Sequence, residues 1–307
     1  GVMMVPTAIL AEQHYEYIND LFDKLNIGAK VGLMTKFKTT KERLEYLRKI
    51  ANGEYNLIVA THGVLQEDVG FSNLGIVITD EQHRFGVRQR KQLSNKGKDP
   101  HIIVMSATPI PRTTSLVLYG DLEISTINTL PAGRKPIETY SVNTGYRPRI
   151  HKMILKEISA GRQAYILCPS IETNDKMNSA EEVYEKCRNG AFRDIPIGLL
   201  HGKMNSDEKE EVMRAFYENK IKVLICTTVV EVGINVPNAT VMLIENAERF
   251  GLAQLHQLRG RVGRGEHQSY CVLLTDSKSE KTKQRMDVLI QSTDGFYISQ
   301  RDLELRG

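Results

Sequence analysis

Long apolar runs are missing from this sequence, and cysteine is scarce. No run approaches the roughly 20 apolar residues that a membrane-spanning helix needs, and the first residues lack the basic and apolar regions of a signal peptide. The cysteines lie far apart with no C-x-x-C pair, which argues against a zinc site or a disulfide framework. A cytoplasmic protein without a membrane partner is expected, with inert thiols at Cys168, Cys187, Cys226 and Cys271.

The sequence also has only a small excess of positive over negative charge. Lysine and arginine number 41 against 37 aspartate and glutamate, a formal net charge of only +4 over 307 residues. So small an excess neither requires nor excludes a polyanionic partner, because basic surfaces act as local patches. Hydrophobic residues at 41% and charged residues at 25% match a globular chain rather than a disordered one. The length suggests about two domains.

Short β-branched runs alternate with amphipathic segments, a pattern that predicts an α/β fold with mostly parallel sheets. The alternation breaks at residues 130–136, where two prolines and a glycine indicate a linker. Strands are predicted at 56–60, 75–79, 101–105, 164–168, 195–200, 222–226, 240–244 and 269–274, and helices at 10–25, 40–50, 281–291 and 297–305. The expected domains are residues 1–130, a linker at 131–136, residues 137–276 and a helical hairpin at 277–307.

Polar clusters follow several predicted strands, where the ligands of parallel sheets bind. Asp80 and Glu81 are adjacent carboxylates of the kind that bind Mg²⁺ and polarise a water. Ser106 and Thr108 follow the next strand and offer hydroxyls to the carboxylates or to a phosphate. Residues 227–235 follow a further strand. For each cluster taken alone, a solvated strand-end turn is the alternative.

Residues 257–265 hold three arginines and three glycines in nine positions. The planar guanidinium suits phosphate, and glycine leaves the backbone open to close approach. This run favours polyphosphate recognition over its alternative, a basic surface loop.

Together and in this order, the clusters resemble superfamily 2 helicases, and the longer strings narrow the resemblance to the RecG family of branched-DNA helicases. The strings that carry it are residues 5–14, 61–62, 80–87, 105–112, 200–204, 227–237 and 245–265. The resemblance implies two RecA-like domains with mostly parallel sheets, the first truncated at its N-terminus, and a C-terminal helical hairpin.

The resemblance also implies ATP and Mg²⁺ as cofactors and a role for each matched residue. Asp80 would hold Mg²⁺, and Glu81 would activate the attacking water. Arg261 and Arg264 would act on the nucleotide phosphates as arginine fingers. Further nucleotide contacts are implied for Gly233, Asn235 and Gln257. DNA contact or coupling is implied for Pro6, Thr7, Thr61, His62, Gln82, His83, Ser106, Thr108, Thr227, Arg285 and Arg306.

The phosphate-binding loop G-x-x-x-x-G-K-[ST] does not occur in the sequence. In the RecG family that loop precedes the string at 5–14, and a DNA-binding wedge domain lies further upstream. The chain is therefore expected to be an incomplete, monomeric motor core that is inactive by itself.

The function implied by the resemblance is that of an ATP-dependent translocase on double-stranded or branched DNA, which remodels stalled forks and Holliday junctions in recombination and repair. One alternative is the translocase module of a transcription-repair coupling factor; the strings at 80–83, 119–122 and 131–136 favour RecG over it. A nucleotide-inert DNA-binding scaffold is the other alternative. The retained carboxylates and arginines argue against that scaffold.

Overall fold

The computed structural model describes residues 1–81, 85, 87–106, 122–127, 129, 133–169, 179–228 and 235–306, and at 87, 90, 91 and 306 the backbone alone. Contacts divide these residues into two compact units. The first unit comprises the described residues up to 106, and the second comprises those from 122 onward. The sequence instead predicts a boundary at 130. Because residues 107–121 and 130–132 lie outside the description, the domain boundaries stay predictions.

The first unit is built on a parallel sheet in the strand order β2-β3-β1-β4-β5. Its elements are β1 Val2–Met4, α1 Ala8–Lys24, β2 Val31–Met34, α2 Thr40–Ala51, β3 Leu57–Ala60, β4 Ile76–Thr79, α3 Val87–Ser94 and β5 His101–Val104, with a 3₁₀ turn at His62–Leu65. Alternate residues of β1 face opposite sides: Met4 packs with Leu47 of α2, and Val5, just beyond the strand, packs with Leu10 of α1.

The second unit contains a parallel sheet in the order β6-β11-β10-β7-β9-β8. Its elements are β6 Glu138–Val142, α4 Arg147–Ser159, β7 Gln163–Leu167, α5 Ala180–Arg188, β8 Ile197–Leu200, α6 Ser206–Tyr217, β9 Val223–Cys226, β10 Ala239–Ile244, α7 Leu252–Arg259, β11 Tyr270–Leu274, α8 Glu280–Gln291 and α9 Gly295–Arg306. Every residue of β10 is buried, because central parallel strands are covered on both faces.

The predicted strands and the C-terminal helical pair are confirmed, within a few residues at their ends. The predicted strands do not include β1, β2 or β6. Gly32 interrupts the apolar run of β2, and the edge strand β6 carries alternating, partly exposed side chains instead of an apolar run. The three- and four-residue spacing of Leu10, His14, Tyr17 and Leu25 predicts one apolar stripe on α1, and this prediction is only partly correct. The N-terminal residues of the helix are buried, but Tyr17 and Leu25 are 67% and 60% exposed.

All four cysteines are buried and free, so the prediction that they form no disulfide is confirmed. Burial raises the pKa of Cys187 and of Cys271 to about 12, and it also raises the pKa of Cys168 and Cys226. Since the thiolate is the reactive form, these thiols are inert near neutral pH. No helix in the described part of the chain is both long and apolar enough to cross a membrane.

Candidate active site

The two predicted catalytic carboxylates lie on a sharp turn directly after β4. The backbone N–H of Asp80 donates to Met4 O of the neighbouring strand β1 at 3.0 Å. Asp80 Oδ1 then accepts a hydrogen bond from the backbone N–H of Glu81 at 2.8 Å. Glu81 is buried and has a φ of +50°, a left-handed conformation that is uncommon for glutamate. Strained backbone of this kind is concentrated at functional sites, so the geometry supports the predicted role of the pair.

A residue of α1 also reaches this turn. His14 Nε2 lies 3.3 Å from Asp80 Oδ2, across 66 residues of sequence. The sequence pattern assigns His14 to the apolar stripe of α1 and gives it no role. The sequence did contain one signal of a role, because His14 is a polar residue among the apolar residues of that stripe. The structure shows His14 as a neighbour of Asp80.

The other residues predicted for the first unit follow neighbouring strands. Pro6 and Thr7 follow β1, Thr61 and His62 follow β3, and Ser106 follows β5. Because these strands and β4 are adjacent and parallel, their carboxyl ends bring all of these residues to one edge of the sheet. Thr7 caps α1, its side-chain oxygen accepting from Leu10 N at 3.3 Å. Gln82, His83 and Thr108 lie outside the described residues.

In the second unit the predicted arginine fingers lie on a tight loop after α7. This arginine loop comprises residues 260–265. Arg261 is buried, and the half-buried Arg264 donates from Nε to Gly260 O at 3.0 Å. A Cβ added to Gly263, which has a φ of +72°, would lie 2.7 Å from Ile137 Cγ1, and one added to Gly265 would lie 2.6 Å from Pro237 O. The interleaved glycines therefore let the loop pack closely against the rest of the unit.

The helix that leads into the arginine loop is bound at both ends to α8. Near the start of α7, Arg285 donates to Glu248 O and Phe250 O at 3.0 and 2.9 Å. At its end, the buried Arg259 donates from Nη1 to Leu289 O and Ser292 O at 2.5 and 2.9 Å. Arg285 was predicted to act in DNA contact or coupling, and its contacts join the helical hairpin to α7. The sequence offered Arg259 only as one of three arginines, and its packing on α8 could not be read from spacing.

The remaining predicted residues of the second unit are spread over three places. Thr227 is buried at the carboxyl end of β9, Asn235 is exposed, and Gln257 is half-buried on α7. Gln257 therefore shares α7 and its following loop with the two fingers, whereas the structure does not place Thr227 or Asn235 on that segment. Gly233 and the side chain of Arg306 lie outside the described part of the chain.

Burial of His256, beside Arg259, makes stability dependent on pH. Burial and the Arg259 charge lower the pKa of His256 to about 4, although Asp294 acts in the opposite direction. His256 Nδ1 lies 2.9 Å from Arg259 Nη2, so the arginine donates to a neutral imidazole. The unfolded chain takes up this proton near pH 6.5, so the stabilisation is complete above that pH and is lost as pH falls toward 4.

Wild type and His256→Gln are therefore expected to differ in the pH dependence of unfolding. Glutamine keeps an acceptor for Arg259 but does not titrate. Between pH 7 and 4 the wild-type free energy of unfolding should fall by as much as about 3 kcal/mol more than that of the variant. Urea unfolding at several pH values measures this difference. Parallel pH profiles for the two proteins would contradict the assignment to His256.

The donor set at Asp80 fits Mg²⁺ that is shared with a nucleotide. Magnesium in nucleotide sites uses one or two carboxylates together with substrate phosphates and water. Among the residues whose side chains are described, no three His, Cys, Asp or Glu gather to hold a metal. Mg²⁺ at Asp80 would therefore depend on phosphate and water oxygens for most of its ligands.

Comparison with known proteins agrees with this arrangement. Residues 1–117 match the model of the DEAD/DEAH box helicase family, and residues 147–266 match that of the helicase conserved C-terminal domain. The structure of Mss116p bound to single-stranded RNA and AMP-PNP shares the fold, with a TM-score of 0.69 at 17% identity over 99% of this chain and 66% of that one. Two parallel-sheet units with these sites define the RecA-like core of a superfamily 2 helicase.

More similar proteins narrow the class. The ATP-dependent DNA helicase RecG of Bacillus subtilis (strain 168) is 52% identical over the whole chain, and that of Synechocystis sp. is 50% identical. The structure of RecG bound to a three-way DNA junction matches 98% of this chain at 43% identity, with a TM-score of 0.84. The chain belongs to the RecG family. It spans 45% and 37% of the two relatives and 39% of the RecG chain in that structure.

Proposed function

We propose that this chain is the motor core of an ATP-dependent translocase on double-stranded or branched DNA, which remodels stalled forks and Holliday junctions in recombination and repair. The observation that carries the proposal is the 52% identity to a RecG helicase along the whole chain, and the Asp80–Glu81 turn and the arginine loop of this chain support it. The proposal includes ATP and Mg²⁺ as cofactors, a cytoplasmic location and action as a monomer.

Each part of the catalytic machinery has a role in ATP hydrolysis. Asp80 would hold Mg²⁺, which would supply charge neutralisation at the phosphates. Glu81 accepts the proton of the attacking water, and its backbone lies in the left-handed turn at the sheet edge. Arg261 and Arg264 stabilise the negative charge that develops on the transferred phosphoryl group.

DNA contact is assigned to the same sheet edge of the first unit. Thr7 and Thr61 carry hydroxyls and His62 is exposed beside them, the kinds of groups that bind phosphates without reading sequence. Thr7 uses an acceptor lone pair for Leu10 N, which leaves its hydroxyl hydrogen available to a phosphate oxygen. Arg285 joins α8 to the segment before α7, so it links the hairpin to the helix that leads into the arginine loop.

The test is ATP hydrolysis by the natural full-length protein with three-way junction, linear duplex or no DNA. Junction DNA is expected to stimulate hydrolysis and to be unwound, with both activities requiring Mg²⁺. Residues 1–307 alone should hydrolyse little ATP, since they contain no phosphate-binding loop. Absence of DNA stimulation in the full-length protein would contradict the proposal. Specific capture of RNA polymerase would instead favour a transcription-repair coupling factor.

A further inference from the structure

A hydrogen bond joins the end of the linker to the middle of the arginine loop. Arg134 Nε donates to Gly263 O at 2.6 Å, across 129 residues of sequence. Arg134 belongs to residues 133–137, which we call the linker end. The bond is charge-assisted and partly buried, the class of hydrogen bond that fixes geometry most strongly.

The same stretch supports Gly263 by packing. The Gly263 backbone lies so close to Ile137 that a Cβ would meet its Cγ1 at 2.7 Å. Arg134 therefore binds the carbonyl oxygen of Gly263, and Ile137 packs beside the Cα of the same residue. Gly263 has a φ of +72°, and because glycine populates positive and negative φ about equally, its own backbone does little to fix the loop here.

We propose that Arg134 is a positioning residue for the arginine fingers, an inference that rests on the proposed function. Arg264 directly follows Gly263, and Arg261 precedes it by two residues. Rotation of the peptide between residues 263 and 264 redirects the Arg264 side chain, and the Arg134 bond to Gly263 O opposes that rotation. The linker end lies in the second unit, directly before β6, so the geometry of the arginine loop depends on the conformation of this stretch.

One further bond holds the linker end, and another holds the first residue of β6 directly after it; neither touches the arginine loop. Gln268 Nε2 donates to Pro136 O at 2.9 Å, and Glu138 N donates to Ser269 O at 3.0 Å. If Arg134 only anchored the linker, loss of the Gln268 bond would have a similar effect on catalysis. Gln268→Ala is therefore the matched control for a general loosening of this segment.

The decisive pair of variants is Arg134→Met and Arg134→Gln in the natural full-length protein. Both keep an unbranched stem of similar length. Glutamine Nε2 stands the same number of bonds from the backbone as arginine Nε and can donate to Gly263 O, whereas methionine has no donor. Steady-state ATP hydrolysis at saturating junction DNA gives kcat and KM. Hydrogen–deuterium exchange of peptides covering residues 260–266, without nucleotide or DNA, reports the order of the loop.

Arg134→Met is expected to lower kcat by about 10- to 100-fold, as small misplacements of catalytic groups do, and to speed exchange in the arginine loop. Its KM for ATP, DNA affinity and unfolding temperature should stay close to wild type. Arg134→Gln and Gln268→Ala should keep kcat within about threefold of wild type. Equal kcat values for the methionine and glutamine variants, or loop exchange that is the same in both, would overturn the inference. Wild-type protein without DNA-stimulated hydrolysis would refute the proposed function instead, and the exchange comparison would still decide the role of Arg134.

Discussion

Replacement of Arg264 by alanine in the natural full-length protein is expected to lower the turnover of DNA-stimulated ATP hydrolysis by about 10³-fold, with little change in DNA affinity. An arginine finger acts on charge that develops only in the transition state, so its loss reduces kcat more than binding. Arg264 is half-buried on a loop that glycines pack tightly against the unit. Truncation beyond Cβ therefore removes the guanidinium without adding bulk to that packing.

The control for this variant is Arg193→Ala, which removes an exposed arginine from the same unit. Its turnover and its DNA affinity should both match wild type. Steady-state kinetics with junction DNA and fluorescence anisotropy of labelled junctions supply the two readouts. Wild-type turnover in Arg264→Ala would refute the finger role. A loss of DNA affinity as large as the loss of turnover would make Arg264 a DNA contact instead.

Apolar runs predict most of the strands from sequence, including β5, which is largely exposed. Strands such as β7, β9 and β10 are buried along their whole length, so their apolar runs predict them directly. Strand β2 is not predicted because Gly32 interrupts its apolar run. A Cβ at Gly32 would lie 2.5 Å from Tyr46 Oη and 3.0 Å from the Tyr55 ring. Glycine is needed at this position because two tyrosines pack against it in the folded unit. A local sequence pattern does not contain that tertiary contact.

Part of the candidate site could likewise be predicted from sequence, and part of it could not. The order of motifs identified Asp80, Glu81 and the arginine run, because those strings are long and specific. The left-handed backbone of Glu81 and the approach of His14 to Asp80 depend on how β4 and α1 are placed, so spacing alone does not give them. The same holds for the bond between Arg134 and Gly263, whose partners are distant in sequence. Sequence thus predicts candidate reacting groups, and the structure adds contacts of these groups that spacing does not give.

Glu81→Gln in the natural full-length protein should lower kcat for ATP hydrolysis by about 10²- to 10⁴-fold, the range typical of a lost general base. Glutamine preserves the length and shape of the side chain, so the buried turn at φ +50° should be kept. The amide cannot accept the proton of the attacking water. ATP binding should persist, because Asp80 and the arginines are unchanged, and the variant should accumulate as an ATP-bound complex on DNA.

Two companion variants distinguish loss of proton transfer from loss of Mg²⁺ binding and from the loss of one negative charge in the unit. Asp80→Asn should raise the Mg²⁺ concentration needed for half-maximal hydrolysis, whereas Glu81→Gln should leave that concentration unchanged, since only Asp80 is assigned to the metal. Glu67→Gln removes an exposed carboxylate of the same unit and should behave as wild type. If Glu81→Gln hydrolysed ATP at the wild-type rate, a group other than Glu81 would have to be the general base. A shift in its Mg²⁺ requirement equal to that of Asp80→Asn would show that both carboxylates hold the metal.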